Sequence, residues 1–258
     1  MFQKQQVAII TGGSRGIGRA ISMRLAAQGA SICVNYSARP EPAEALVKQL
    51  CASGTSAIAV RADVSDPAQA QTLIAQAEVE LGSPTILVNN AGVSAPATLE
   101  TYDEAALDRM RRVNVNGVIN TIRAVMTGMN ERGFGRIINI ASNAAIGTAL
   151  PGTTFYAATK AEVLILTKRF ALELGRAGIT VNAVCPGWII TDMTRGTATE
   201  EEFSTRVAGM QERTMVGRVG APEDIAAAVT FLASPEAGFT TAQVLTVDGG
   251  RKDYIGHG

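Results

Sequence analysis

The sequence predicts a doubly wound α/β fold: a single domain over 1–258, with about seven parallel strands in one sheet and helices on both faces. Three observations carry this expectation. Short continuous apolar runs such as Val7-Ala8-Ile9-Ile10 recur along the chain, as strands buried on both faces require. Helical stretches alternate with those runs from end to end, the pattern of parallel strands joined by crossover helices. No linker, internal repeat or low-complexity tract breaks the alternation. With 258 residues, 47% of them hydrophobic, the chain can bury the core of one large α/β domain.

Residues 7–10 form the first expected strand. Thr11-Gly12-Gly13-Ser14-Arg15-Gly16-Ile17-Gly18 follows it, and a helical stretch over 20–27 is stopped by Gly29. Strand, glycine turn and helix in that order make a phosphate cradle. The glycines let the backbone approach, and the helix start offers free N–H groups and a positive dipole end. The second strand is expected at 31–35. Proteins that select the plain ribose of NAD usually place Asp or Glu at its end. Here the residues are Asn35-Tyr36-Ser37-Ala38-Arg39. No carboxylate stands there to repel a 2′-phosphate, and Arg15, Ser37 and Arg39 can reach one. NADP(H) is therefore the expected cofactor, with NAD(H) as the alternative.

A third strand over 56–61 ends at Asp63-Val64, and Asp66-Pro67 opens a helix to about 81, with a capping carboxylate and proline at the first helical position. Residues 85–89 make the fourth strand, which leads into Asn89-Asn90-Ala91-Gly92, where small residues let the backbone approach a ligand. A long helix is expected over 103–129, interrupted by Asn114-Val115-Asn116-Gly117. Asn and Gly weaken a helix, so the interruption predicts a kink or a buried polar task. The fifth strand is expected at 135–141, a helix carrying Tyr156 and Lys160 runs to about 177, and the sixth strand spans 179–184 before Cys185-Pro186-Gly187. Between 188 and 219 the pattern loosens around Thr197-Ala198-Thr199-Glu200-Glu201-Glu202, a capped acidic helix start, and this segment reads as a mobile lid over the substrate. A final helix over 222–232 and a seventh strand over 243–247 precede Asp248-Gly249-Gly250.

Composition excludes several function classes. Lys plus Arg number 23 and Asp plus Glu 23, so no global charge draws nucleic acid or an anionic membrane, and no basic stripe is present. The opening Met-Phe-Gln-Lys-Gln-Gln is not a signal peptide, and no apolar stretch nears a membrane span. Cys33, Cys51 and Cys185 are odd in number and widely spaced, which reads as core residues of a reduced, cytoplasmic protein. The only histidine, His257, is next to last, so neither a histidine-based zinc site nor a Ser-His-Asp hydrolase is expected.

The catalytic signal lies between Ser142 and Lys160. Ser142 follows the fifth strand and so stands at a C-terminal strand end, where open α/β sheets bind ligands. Tyr156 and Lys160 are four apart on a helix and share a face. A free phenol ionises near pH ~10. A neighbouring ammonium lowers that value toward the working pH, which makes the phenol a usable proton donor and acceptor.

These residues resemble the short-chain dehydrogenase/reductase family over nearly the whole chain. The stretch from Thr11 to Gly18 resembles its Thr-Gly-x-x-x-Gly-x-Gly cofactor turn, Asp63-Val64 its adenine-contacting pair, and Asn89-Asn90-Ala91-Gly92 the motif supporting its central strand. Asn114, Ser142, Tyr156 and Lys160 fall at its catalytic tetrad, and Pro186-Gly187 with Ile189 and Thr191 resembles the segment holding the nicotinamide carboxamide. The resemblance implies a Rossmann-type sheet. It implies a cofactor site drawn from Gly12, Ser14, Arg15, Gly16, Ile17, Gly18, Asn35, Tyr36, Ser37, Asp63, Val64, Asn90, Ala91, Gly92, Tyr156, Lys160, Pro186, Gly187, Ile189 and Thr191. Ser142 would then hydrogen-bond the substrate oxygen, and Tyr156 would deliver or remove its proton. Lys160 would hold the nicotinamide ribose and lower the tyrosine pKa, while Asn114 would position a water linking Lys160 to solvent. Hydride would pass between the nicotinamide C4 and the carbonyl carbon. The sequence departs from the family pattern twice. Ser142 and Tyr156 stand one residue further apart than is usual, which lengthens the loop 143–155, and Glu162 occupies a position that often holds a small residue.

Within the family, Thr191-Asp192-Met193-Thr194 and the overall spacing look most like 3-oxoacyl-(acyl-carrier-protein) reductases. The expected substrate is accordingly a 3-oxoacyl thioester or related carbonyl compound. The alternatives are an NAD-dependent sugar, polyol or small secondary-alcohol dehydrogenase, and a non-catalytic dinucleotide-binding regulator. Ser142, Ala144, Ile146, Thr148, Tyr156, Trp188 and Met193 are expected to line a mainly apolar pocket. Arg132 and Arg176 are candidates for receiving an acidic carrier protein, although arginines at helix C-termini also complement the dipole. The resemblance further implies a homotetramer, with two long helices at one interface, Gly249-Gly250 near another, and the tail 251–258 beside a neighbouring subunit. No nucleic-acid or membrane partner is expected.

Overall fold

The computed structural model describes residues 6–255; His257 and the end of the tail lie outside the described residues. The strands are β1 (Val7–Ile10), β2 (Ser31–Tyr36), β3 (Ala57–Arg61), β4 (Ile86–Asn89), β5 (Gly135–Ile140), β6 (Ile179–Pro186) and β7 (Val244–Val247). They form one 7-stranded sheet, order β3-β2-β1-β4-β5-β6-β7, and every pairing is parallel. Strand order reverses between β1 and β4, which opens a crevice at the C-terminal strand ends, the place where such sheets bind ligands.

The crossovers are α1 (Gly16–Ala27), α2 (Glu41–Ala52), α3 (Pro67–Leu81), α4 (Glu104–Arg111), α5 (Gly117–Arg132), α6 (Thr154–Leu174), α7 (Asp192–Arg195), α8 (Glu200–Glu212) and α9 (Pro222–Ala233). Successive strand residues point to opposite faces, so Ile10 joins the core beneath α1, α2 and α9 with Ile21, Leu46 and Val229. Ile9 joins the opposite core beneath α3, α5 and α6 with Leu73, Val125 and Val163. Each fully buried aliphatic side chain contributes about 1.5–3 kcal/mol by leaving water. Among the described residues no helix is long and apolar enough to cross a membrane.

Several boundaries differ from the sequence expectation, each for a local reason. Helix α2 was not anticipated, no element having been assigned between 39 and 56, although Pro40 and Pro42 stand at its start, where no N–H is needed. Helix α1 begins at Gly16 rather than at Ala20, which places Gly16 and Gly18 inside its first turn. The long helix expected over 103–129 is two helices joined by a π turn, Arg112–Asn116, and Asn114 within that turn is fully buried. Strand β6 continues through Cys185 to Pro186. Asp66 caps α3 as expected, its carboxylate accepting from the N–H groups of Ala68 and Gln69.

A buried polar chain registers the helices on the sheet. Asn89 Nδ2 donates to Asn139 Oδ1 at 2.9 Å, Thr121 Oγ1 donates to Asn89 Oδ1 at 2.7 Å, and Asn139 Nδ2 donates to Thr167 Oγ1 at 2.9 Å. It links β4 and β5 to α5 and α6. Asn139→Ala leaves the Asn89 amide without its acceptor and should lower the unfolding free energy by about 2 kcal/mol in urea titration, whereas Thr72→Ala on exposed α3 should change it by less than about 0.5 kcal/mol.

Candidate active site

The turn from β1 into α1 forms the floor of the crevice. Gly12 and Gly16 have φ of +59° and +50°, in the left-handed region that favours glycine. Thr11 Oγ1 accepts from the N–H groups of Asn90 and Ala91, both at 2.9 Å, and Asn90 Nδ2 donates to the carbonyls of Thr11 and Gly12, both at 3.0 Å. Asn35 works from beneath: its Oδ1 accepts from Gly12 N–H at 3.2 Å, and its Nδ2 donates to the carbonyls of Val60 and Ala62. The Asn35 side chain therefore shapes the cradle from below. Arg15, at the N-cap of α1, makes no side-chain cap, so the first N–H groups of α1 remain available to an anion. Glycine is demanded at position 18 by a close approach, since a Cβ there would lie 2.3 Å from the Gly12 carbonyl oxygen. A glycine cradle at an uncapped helix start fits a dinucleotide pyrophosphate.

Beyond the cradle, Ser37 and Arg39 are exposed and Tyr36 is half-buried at the end of β2. Arg61 pairs in register with Tyr36, and its Nε donates to the Ser37 carbonyl at 3.3 Å. It was not anticipated from the sequence, although its place at the end of the third apolar run, next to the second strand, is a usable signal. Arg15 lies 3.6 Å from Asp192 in an exposed pair of little energetic weight. Asp63 Oδ1 accepts from Ser65 N–H, and Val64 is buried against Gly117.

The tetrad positions come together where β4, β5 and β6 end. Asn114 Oδ1 accepts from Val93 N–H at 2.8 Å, while its Nδ2 donates to the Val93 carbonyl and to Thr159 Oγ1, both at 3.0 Å. Thr159 Oγ1 in turn donates to the Tyr156 carbonyl at 2.8 Å. The Asn114 side chain thus joins the segment after β4 to the turn of α6 that carries Tyr156 and Lys160. Thr159 was missed as a participant, yet it is the one polar side chain between Tyr156 and Lys160. Lys160 Nζ donates to the Ile140 carbonyl at 2.8 Å, its one hydrogen-bond acceptor among the described residues, and the residue is 3% exposed. Gly92 leaves room beside it; a Cβ there would sit 3.4 Å from Lys160 Nζ. Burial lowers the Lys160 pKa to about 8, partly offset by the attraction of Cys185.

Tyr156 hydrogen-bonds Ser142, whose Oγ also accepts from Ala144 N–H at 3.1 Å and so caps the short turn Asn143–Ile146. The expectation that Lys160 lowers the tyrosine pKa is corrected within this chain. Burial pushes the phenol up to about 12, opposed by the Ser142 bond and reinforced by Cys185. Desolvation of a potential anion outweighs an ammonium 5.9 Å from the ring centre. The Cys185 thiol is itself pushed up to about 11, mainly by burial.

Of the expected pocket residues, Ala144 and Thr148 are buried, while Ile146 and Met193 are exposed, at 43% and 58%. Trp188 packs on Phe203 of α8 with ring centres 5.8 Å apart, and the Arg195 guanidinium lies 4.1 Å over the other aromatic, Phe203. Ile189 is buried, and Thr191 caps α7. Tyr102 and Phe155 form a further aromatic pair beside the start of α6. Arg132 donates to the Pro84 carbonyl at 2.8 Å, and Arg176 is exposed.

The family model described as enoyl-(acyl carrier protein) reductase matches residues 12–252. The 3-oxoacyl-[acyl-carrier-protein] reductase FabG of Staphylococcus aureus strain Mu50 is 40% identical over 246 residues, 94% of this chain and 96% of that protein. A short-chain dehydrogenase/reductase from Serratia marcescens superposes with TM-score 0.87 at 39% identity, covering 95% of this chain and 97% of that one. A blue fluorescent protein from a metagenomic library, solved in complex with NADPH, superposes with TM-score 0.88 at 39% identity, covering 97% and 99%.

The close approach at Gly18 can be tested apart from any reaction. Gly18→Ala should weaken NADPH binding by about ten-fold or more in a fluorescence titration, because the added methyl displaces either the Gly12 carbonyl or the Asn90 amide.

Proposed function

The chain belongs to the short-chain dehydrogenase/reductase family, and we propose that it is an NADP(H)-dependent oxidoreductase that reduces the ketone of a 3-oxoacyl thioester to the secondary alcohol. The observation that carries this reading is the meeting of the Ser142 hydroxyl, the Tyr156 phenol and the buried Lys160 ammonium at one strand edge. The named activity of the Staphylococcus aureus relative supports the substrate class. The preference for NADP(H) is supported by the lack of a carboxylate over 36–39, by Arg39 and Arg61 at or just after the ends of β2 and β3, and by Arg15 at the start of α1. The neighbour solved with NADPH supports it too.

A dinucleotide held on the cradle supplies the hydride; the chain's own residues manage the proton and the charge. Ser142 donates a hydrogen bond to the substrate oxygen and fixes its position. Tyr156, protonated at neutral pH because burial holds its pKa near 12, gives its proton to the same oxygen as negative charge develops. Lys160, at about 8, is mostly an ammonium at pH 7 and stabilises the phenolate left behind. Its N–H groups beyond the bond to Ile140 are available to ribose hydroxyls. Asn114 and Thr159 hold the turn on which both groups ride. The apolar rim of Ile146 and Met193 suits an acyl chain.

We read 188–219, with α7 and α8, as the lid that excludes water from this site. We also place the protein in the cytoplasm as a homotetramer, with Arg176 facing the acidic carrier. Sugar or polyol oxidation and a non-catalytic regulatory role are the competing readings.

In a spectrophotometric assay with acetoacetyl-CoA, Tyr156→Phe should lower kcat about a thousand-fold while leaving the NADPH dissociation constant within about two-fold. Turnover of an enoyl thioester or a ketose in preference to the 3-oxoacyl thioester would refute the substrate assignment. The pH profile has a defined sign. Below pH 8 Lys160 carries its proton and supports the phenolate; above it the charge is lost. For reduction, kcat/KM should therefore fall as pH rises through about 8.

A further inference from the structure

We propose that Tyr254, bonded to Asp248, is a positioning residue that latches the C-terminal tail across the substrate loop and so sets the wall of the substrate pocket. Its kinetic consequence rests on the reductase reading above; the latch itself rests on geometry alone.

The loop after Ser142 must be long and exposed enough to wall a pocket, yet hold one shape. Its first turn is held locally by Ser142, and its far end by Ala97 N–H donating to the Gly152 carbonyl. In the middle, one local main-chain bond is seen among the described residues, from Gly147 N–H to the Ala144 carbonyl at 3.0 Å. Among the described residues, the long-range main-chain bonds of 147–149 both go to the tail. Ala149 N–H donates to the Asp253 carbonyl at 2.7 Å, and Ile255 N–H donates to the Gly147 carbonyl at 2.6 Å, which pairs Thr148 with Tyr254 as an antiparallel bridge. Gly147, at φ +103°, lets the loop turn into this pairing.

The tail is held in turn from both sides. Arg251, buried at 5% exposure, donates through Nε and Nη2 to the two Asp253 carboxylate oxygens at 2.7 and 2.6 Å, and Arg213 at the end of α8 joins the same carboxylate at 3.0 Å. Lys252 N–H donates to the Arg213 carbonyl at 2.9 Å. Asp248 is the anchor nearest the chemistry. Its Oδ2 accepts from the Tyr254 hydroxyl and, at 3.4 Å, from Asn143 Nδ2, the residue immediately after Ser142. Its backbone packs on Gly187, where a Cβ would lie 2.6 Å from the Asp248 Cα. The Asp248 carboxylate therefore touches the tail and the serine turn, while its backbone lies against the segment after β6. Burial and then the Asp248 carboxylate push the Tyr254 phenol well above its ordinary range, so it remains a donor at every physiological pH. Within this chain the tail segment 251–255 lies against the loop after Ser142 and the end of α8.

A latch that shapes the pocket, rather than one that merely adds stability, separates KM from kcat. In the full-length protein, Tyr254→Phe should raise KM for acetoacetyl-CoA by about ten-fold with kcat within about two-fold and NADPH binding unchanged, as expected when the hydroxyl's bonds to Asp248 and Asn143, outside the reacting groups, are lost. Amide hydrogen exchange on the same proteins reports the latch without turnover. Protection at Ala149 and Ile255 should fall in Tyr254→Phe, and protection at Ala149 should vanish in a chain ending at Gly250. Unchanged exchange at Ala149, or a fall in kcat with KM unchanged, overturns the proposal. Failure of the wild-type protein to oxidise NADPH with any ketone overturns the reductase reading instead, and the exchange pattern then decides the latch by itself.

Discussion

Lys160 is a cation 3% exposed whose one hydrogen-bond acceptor among the described residues is the last carbonyl of β5. Taking an ammonium out of water is unfavourable by several kcal/mol even after relaxation, and the surroundings are what that constraint demands. The Ile140 carbonyl accepts from it, Gly92 keeps bulk away from it, and burial brings its pKa down to about 8. A group so placed changes charge close to neutral pH. It can serve a reaction in which a neighbouring phenol repeatedly gains and loses a proton, and a surface lysine could not.

Holding such a group still requires polar side chains that do not themselves add charge. The chain solves this with asparagine, which offers donors and an acceptor on one neutral group. Asn35 fastens the glycine turn to β2 and β3, Asn90 fastens the same turn to the segment after β4, and Asn114 clamps the π turn to α6. Asn89 and Asn139 continue the pattern beneath the site. Each amide is buried or half-buried with partners of good geometry, the condition under which polar networks make a core more specific. The π turn is part of the same design. Its extra residue turns Asn114 inward from what would otherwise be one long helix.

Much of this was legible in the residues because it rests on short-range patterns. The apolar runs located all seven strands, and the glycine spacing located the cradle. The i, i+4 relation of Tyr156 and Lys160 anticipated that both stand on one face of α6. What escaped depends on contacts between distant segments. Helix α2 went unread, and its two prolines are tolerated because they stand at its start. The direction of the Tyr156 shift was misjudged because helical spacing reveals the lysine but not the depth of burial, and burial dominates. Arg61 and Thr159 matter through a strand register and a side-chain bond. The tail could not be placed from Asp248-Gly249-Gly250 alone, since its partners lie about a hundred residues earlier, in the loop after Ser142.

The claim that Ser142, Tyr156 and Lys160 direct hydride to a carbonyl carbon is tested most directly by following the hydride itself. NADPH deuterated on the transferred position of C4 would be incubated with acetoacetyl-CoA and the protein, and the product analysed by mass spectrometry and NMR. The account predicts one deuterium, on the carbinol carbon C3, in a single enantiomer of 3-hydroxybutyryl-CoA. A product with no deuterium at C3, or label incorporated only when crotonyl-CoA replaces the ketone, would contradict it.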